Sequence, residues 1–113
     1  MQRGEVWLVN LDPGRGSEQI KTRPAVIVSV DGIGKLPMRV VVPLTDWNDR
    51  YYTYQWMVLV VDDKQNHLTK MSAADCLQVR SIDTQRFIKK LGEVTPDVMQ
   101  DIQAAIAIVL GIE

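Results

Sequence analysis

Short apolar runs separated by polar turns fill most of the chain, and the period then changes near the C-terminus. "EVWLVNL", starting at Glu5, is rich in β-branched and aromatic residues and halts at the turn formers "DPGRG". "PAVIVSV", from Pro24 to Val30, is apolar on both faces, as expected of a strand inside a small barrel, and stops at "DGIG". "MRVVVPLT" predicts a third strand. Its Pro43 has no N–H to give a ladder, so that end is expected at an edge or a bulge. "YTYQWMVLVV" predicts a fourth strand, closed by "DDKQN". "ADCLQVRSI" predicts a fifth and "IKKLGEV" a short sixth.

The tail is helical. Thr95 suits an N-cap, Pro96 the first helical position, and Asp97 the positive end of the helix dipole. Val98, Met99, Ile102, Ile106, Val109 and Leu110 recur at three- and four-residue spacing, and Gly111 supplies the stop. Asp83 is a second capping residue, placed before a short helical turn in "TQRF". No repeat, low-complexity segment or linker interrupts the chain, so residues 1–113 read as one domain. The predicted architecture is mainly β with α: a strongly bent antiparallel barrel with a C-terminal helix packed on it. That helix cannot bury its apolar face alone, so the barrel or a second subunit must cover it.

Composition narrows the class. With 46% hydrophobic and 24% charged residues, a chain of 113 residues builds one modest core and is not disordered. The longest apolar runs fall far below the ~20 residues of a membrane span, and "MQRGEVW" lacks the apolar core of a signal peptide. A cytoplasmic protein is expected. The single cysteine, Cys76, excludes an intrachain disulfide and a cysteine metal cluster. A net charge of −1 argues against duplex binding by a global positive field. Arg15, Lys21, Arg23, Lys35, Arg39 and Arg50 nevertheless gather in the first half, which favours a polar or anionic partner there.

The usual catalytic sets are mostly missing. The one histidine, His67 in "DKQNHLT", reads as a solvated loop side chain, and a two-histidine nuclease is impossible within one chain. Cys76, inside an apolar run, reads as a buried inert thiol. The carboxylates Asp12, Glu18, Asp46, Asp49, Asp62, Asp63, Asp75 and Asp83 show no spacing that nominates a Mg²⁺ pair, and read as turn formers and solvated faces. Two positions resist such readings. Arg23 precedes Pro24, which biases it to extended backbone at the mouth of a buried strand. Thr45 stands where the third strand runs out. Strand ends of a small barrel converge with its loops, so a guanidinium and a hydroxyl can meet there. Taken alone, a strand-end arginine is more often a surface charge with a packed stem.

The stretch "RGEVWLVNLDPGRGSEQIKTRPAVIVS", followed by "VVVPLT", "CLQVRSID" and "TPDVMQDIQAAIAIVLG", resembles the MazF/PemK-like (Kid-like) toxins of bacterial type II toxin–antitoxin systems. The resemblance covers essentially the whole chain. It implies an SH3-like antiparallel β-barrel with a C-terminal helix, working as a homodimer without a metal or small-molecule cofactor. It also implies sequence-selective cleavage of single-stranded RNA, chiefly mRNA, that stops translation and growth. A cognate antitoxin would block the site with an acidic segment. The family's catalytic arginine falls on Arg23 and its catalytic threonine on Thr45. The loop from Gly14 to Thr22 would cover the RNA, with Ser17, Glu18 and Gln19 near the scissile step and Lys21 also on the RNA side. Asp46, Trp47 and Gln78 are the expected base readers, with loop packing the competing role for Trp47.

Without a metal, the RNA's own 2′-OH must attack, giving a 2′,3′-cyclic phosphate and a 5′-OH. Arg23 would hold the charge that builds on the phosphoryl oxygens. A guanidinium is a poor base, so Glu18 is the first candidate to take the proton. The sequence departs from relatives that carry a histidine at Ser17, or an acidic residue where Leu77 precedes Gln78. The competing class is a non-enzymatic barrel acting by protein binding, such as a topoisomerase poison of related fold or an inactive paralogue. Retention of both Arg23 and Thr45 argues against it.

Overall fold

The computed structural model describes all 113 residues, as seven strands, four short 3₁₀ turns and one helix. The strands are β1 (Glu5–Asn10), β2 (Thr22–Ile27), β3 (Met38–Asp46), β4 (Met57–Val60), β5 (Ser72–Asp75), β6 (Arg80–Asp83) and β7 (Phe87–Glu93), with helix α1 at Pro96–Leu110. Every pairing is antiparallel. The order across the sheet is β4-β5-β3-β2-β1-β7, with β6 also beside β3. The long β3 is the spine. Its first half, Met38–Val41, pairs β6, whereas its last three residues, Leu44–Asp46, pair β5. Changing partners midway bends the sheet into the expected barrel-like shape.

That switch corrects the expectation for Pro43, which lies inside the central strand rather than at an edge or bulge. It pairs with Ala25 of β2 and, on the other side, falls between the β6 and β5 ladders, where a missing N–H interrupts least. The expected fifth strand is likewise two strands. β5 ends at Asp75, a 3₁₀ turn covers Cys76–Gln78, and β6 begins at Arg80. The corner is held by tertiary contacts: the Cys76 N–H donates to the Trp56 carbonyl (2.9 Å), and the Cys76 side chain is fully buried beside Ile102 of α1. The expected fourth strand starts only at Met57, because Asp49–Thr53 forms a 3₁₀ turn capped by the Asn48 side chain. The tyrosines that suggested a strand pack on their neighbours instead, Tyr54 stacking on Trp56 at 5.0 Å. The last strand has the expected length, shifted one residue towards the N-terminus, and carries two irregularities against β1.

β2 is buried on both faces. Val26 and Val28 join Val6, Val42, Leu44 and Ile102 in one core, while Ala25 and Ile27 join Val9, Leu11, Val41 and Ile82 in another. α1 closes the first core with Ile102 and Ala105. The Val98 N–H donates to Thr95 Oγ1 at 3.3 Å, and Gly111 ends the helix in the left-handed region (φ 67°). The short turn after Asp83 is present, with the Gln85 N–H donating to Asp83 Oδ1. Beyond Ile102 the apolar stripe is only partly covered. Leu110 and Ile112 remain exposed beside Val30, around a groove of about 480 Å³. No helix is long and apolar enough to cross a membrane.

A tight turn before β5 is pressed against β7. Asp63 Oδ1 accepts from the N–H groups of Gln65 and Asn66, and the buried Asn66 Oδ1 accepts from those of Asp63 and Leu68. Gly92 makes the approach possible, since a Cβ there would lie 2.0 Å from the Gln65 carbonyl oxygen.

Candidate active site

The site follows from register. β2 and β3 pair through Ala25 and Pro43, and one pleat further along the antiparallel pair Arg23 stands opposite Thr45. The two are in reach, Arg23 Nη1 lying 3.5 Å from Thr45 Oγ1. Arg23 Nε donates to the Ile20 carbonyl at 3.0 Å, which pins the stem and leaves the fork for another partner. A cleft of about 490 Å³ opens over this pair, with Lys21 and Asp46 on its strand-end walls and the His67–Lys70 segment opposite. No carboxylate forms an ion pair with Arg23 or Lys21. Asp46 is taken up by Lys70, 3.0 Å away, an exposed pair worth little in stability. The cleft is therefore net cationic and open to solvent, suited to an anionic polymer.

The Gly14–Thr22 loop forms a second cluster. Gly14 lets the chain fold on itself, since a Cβ there would meet the Ile20 side chain at 2.4 Å. Glu18 Oε1 accepts from the Arg15 N–H at 2.7 Å. The Gln19 N–H donates to Gln78 Oε1 at 2.5 Å, and Gln78 Nε2 donates to the Ser17 carbonyl at 3.0 Å and to Asp75 Oδ2 at 3.1 Å. Lys21 closes the loop in the left-handed region (φ 67°), its N–H donating to Asp12 Oδ1. Arg86 secures the loop base by donating to the Asp12 and Asn10 carbonyls.

The structure thus brings Arg23, Thr45, Lys21 and Asp46 together in one cleft, and Ser17, Glu18 and Gln78 in a neighbouring recess of about 580 Å³. Gln19 joins the second group through its backbone. Glu18 does not line the Arg23–Thr45 cleft. Trp47 stands apart, edge-on to Tyr51 and Tyr52 at 5.7 and 4.8 Å, its Nε1 donating to Asp49.

Sequence reasoning passed over two residues. Asp75, grouped with the turn formers and solvated faces, is 5% exposed and its Oδ1 has no partner. Burial pushes its carboxyl above the usual aspartate range, while Gln19 and Gln78 pull it back. The available signal was its place at the end of "SAA", a run too apolar for a solvated carboxylate. The same burial, with Asp75 beside it, pushes the Cys76 thiol up to about 12 and leaves it inert. His67 is exposed, as expected, but it stands on the wall of the Arg23–Thr45 cleft. Its Nδ1 lies 2.5 Å from the Leu91 carbonyl. A carbonyl only accepts, so Nδ1 carries a hydrogen toward it.

Fold and cleft together define a small antiparallel barrel, capped by a helix, with an unpaired cation and a hydroxyl at the parting ends of two strands. The chain matches the family described as PemK-like, MazF-like toxin of type II toxin–antitoxin system over residues 2–110. It is 37% identical over 101 residues to Endoribonuclease MazF9 of Mycobacterium tuberculosis, covering 84% of this chain and 83% of that protein. Its structure is similar to an endoribonuclease in complex with its cognate antitoxin from a mycobacterial species, at 25% identity and a TM-score of 0.77, over 100% of this chain and 97% of that one. At the level of fold it is similar to MazF from Deinococcus radiodurans, at 22% identity and a TM-score of 0.81, over 98% and 96% of the two chains. The chain belongs to the PemK/MazF-like toxin family, as its motifs implied.

Proposed function

We propose that this protein is the endoribonuclease toxin of a type II toxin–antitoxin pair, cleaving single-stranded mRNA in the cytoplasm without a metal. The observation that carries the reading is Arg23: a guanidinium anchored at Nε, unpaired with any acid, its fork beside Thr45 in an open cationic cleft. In the reaction the 2′-oxygen of one nucleotide gives its proton to a base and attacks the adjacent phosphorus, the bond to the 5′-oxygen breaks, that oxygen takes a proton from water, and a 2′,3′-cyclic phosphate and a 5′-OH result. Negative charge grows on the non-bridging oxygens as the ring closes. Arg23 supplies fixed, permanently charged donors to it and Thr45 a hydroxyl donor.

Two groups are candidates to take the 2′-OH proton. Glu18 sits on the loop beside the cleft and reaches it only if the loop shifts, whereas His67 already lines the cleft wall. Lys21 draws in the neighbouring phosphates, and Ser17 and Gln19 form the lip over which the strand passes. Asp46 and Trp47 read flanking bases, and Gln78 acts through the loop it holds. Residues 1–113 act as a single domain. The exposed apolar groove beside α1 is covered by a second copy in a homodimer, and a cognate antitoxin occupies the cationic cleft.

The test is digestion of a long single-stranded RNA in EDTA with the ends mapped by sequencing. Discrete cuts leaving 5′-OH ends are expected, and they give the recognition motif directly. Intact RNA together with a stalled gyrase assay would move the protein to the non-enzymatic class.

A further inference from the structure

We propose that Asp75 is a positioning residue that fixes the Gln78 amide in one orientation and thereby latches the Ser17–Ile20 segment against the barrel. A glutamine amide offers an oxygen edge and an NH₂ edge of nearly equal shape, so its orientation is set by its partners alone. Gln78 has three. The Gln19 N–H requires the oxygen, and the Ser17 carbonyl and Asp75 Oδ2 require the NH₂. Ser17 is exposed, so water can replace its carbonyl as a partner in either orientation. Asp75 is buried and, when ionised, can only accept. Turning the amide over would set two acceptor oxygens face to face away from water. Asp75 thus fixes the choice from the buried side, in concert with the Gln19 N–H on the loop side.

The carboxylate is itself held firmly. It is the last residue of β5, paired with Met57, and the next residue is tied to Trp56. Its Oδ1 is buried with no partner in direct hydrogen-bond geometry, and the Gln19 side chain and the Leu77 and Gln78 N–H groups lie close enough to favour its charged form.

The latch reaches across the fold. Gln78 and Gln19 are 59 residues apart in sequence, and outside their own loop Ser17 and the Gln19 backbone hydrogen-bond to Gln78 alone. Gln19 is followed by Ile20, whose carbonyl pins Arg23 Nε. The line Asp75–Gln78–Gln19–Ile20–Arg23 therefore sets the position of the cleft's cation from a buried strand end. The catalytic consequence rests on the endoribonuclease reading above; the latch itself does not.

The experiment is amide hydrogen exchange on the full-length ¹⁵N-labelled protein, with RNA cleavage measured on the same samples. Asp75→Ala should speed exchange at the Gln19 amide by about tenfold, the loss of one ordinary hydrogen bond, while Val41 and Val42 in β3 keep their protection. The double variant Asp75→Asn/Gln78→Glu reverses the polarity of the pair. The introduced amide donates to the introduced carboxylate, whose other oxygen accepts from the Gln19 N–H. Exchange at Gln19 should return to within about threefold of wild type, and cleavage lost in Asp75→Ala should recover with it, which a merely structural role would not produce. Unchanged Gln19 exchange in Asp75→Ala overturns the proposal, and so does a double variant that stays as fast as the single one. If the wild-type protein cuts no RNA, the functional reading falls while the exchange result still decides the latch.

Discussion

Replacing Arg23 by alanine separates chemistry from folding because the structure assigns it little of the latter. The side chain is half-buried, and its one firm hydrogen bond runs from Nε to the Ile20 carbonyl at 3.0 Å. Losing that bond at a site open to water costs about 1 kcal/mol, or about 4 °C in Tm for a domain of this size. In the proposed reaction, by contrast, the fork would hold the charge of the closing phosphate ring. One well-placed donor of this kind is worth about 10²–10³ in rate, or about 2.7–4 kcal/mol of barrel-held charge stabilisation. Arg23→Ala should therefore lower single-turnover cleavage of a synthetic single-stranded RNA in EDTA by at least about 10², with a melting curve close to wild type. Arg23→Lys keeps a charge but neither the fork nor the Nε anchor, and should recover no more than about tenfold over alanine. An Arg23→Ala protein that melts normally and cuts within about tenfold of wild type would remove the guanidinium from the chemistry.

The proton acceptor is resolved by comparing Glu18→Gln with His67→Gln across pH. The substitution that abolishes the rise of the cleavage rate with pH identifies the base, and the other should leave that limb in place; loss of the limb in neither excludes both groups. Ile102, fully buried between α1 and the barrel, should cost about 2–5 kcal/mol as alanine, read as a lower urea midpoint. Glu5 titrates with folding. Its burial alone would raise the carboxyl pKa, but hydrogen bonds from Trp7 Nε1 (2.8 Å), the Gln2 N–H (3.0 Å) and Lys90 outweigh this and hold it below the usual range. Its stabilising effect is therefore present above the unfolded-state pKa and lost as pH falls through the lowered folded-state value. Glu5→Gln should be less stable than wild type at pH 7, with the gap closing in acid; a gap independent of pH would refute the ion's role.

What the sequence disclosed depended on how local its cause was. α1 was readable to the residue at both ends, because Thr95, Pro96 and Gly111 act within one helical turn of themselves. β2 was readable from apolarity on both faces, since its two faces meet the two cores. The break at Cys76–Gln78 was not, because "ADCLQVRSI" is as apolar as a strand and the corner is imposed by Trp56 and α1 from outside it. The aromatic run before Met57 misled for a related reason, its tyrosines packing on one another rather than across a sheet. Of the candidate site, Pro24 made Arg23 conspicuous and the end of its strand did the same for Thr45, but their proposed roles came from the resemblance. Asp75 and His67 were not, because each gains its meaning from a residue far along the chain, Gln19 through Gln78 in one case and Leu91 in the other.

The place of the cleft follows from the same strand that bends the barrel. β3 leaves β6 after Val41 and takes up β5 from Leu44, so Thr45 lies past the switch. Arg23 lies past the last β2–β3 pair at Ala25. Where two strands part beyond their ladder, side chains that would be covered by a neighbour face water instead, and a guanidinium can stand beside a hydroxyl without a carboxylate to neutralise it. Proline at 43 serves the switch by withholding an N–H at the changeover, and proline at 24 holds Arg23 extended at the mouth. The proposed catalytic pair is thus a consequence of how this barrel closes, and Lys21 and Thr22, at the end of the loop fastened through Gln78 to Asp75, supply part of the wall that the parted strands lack.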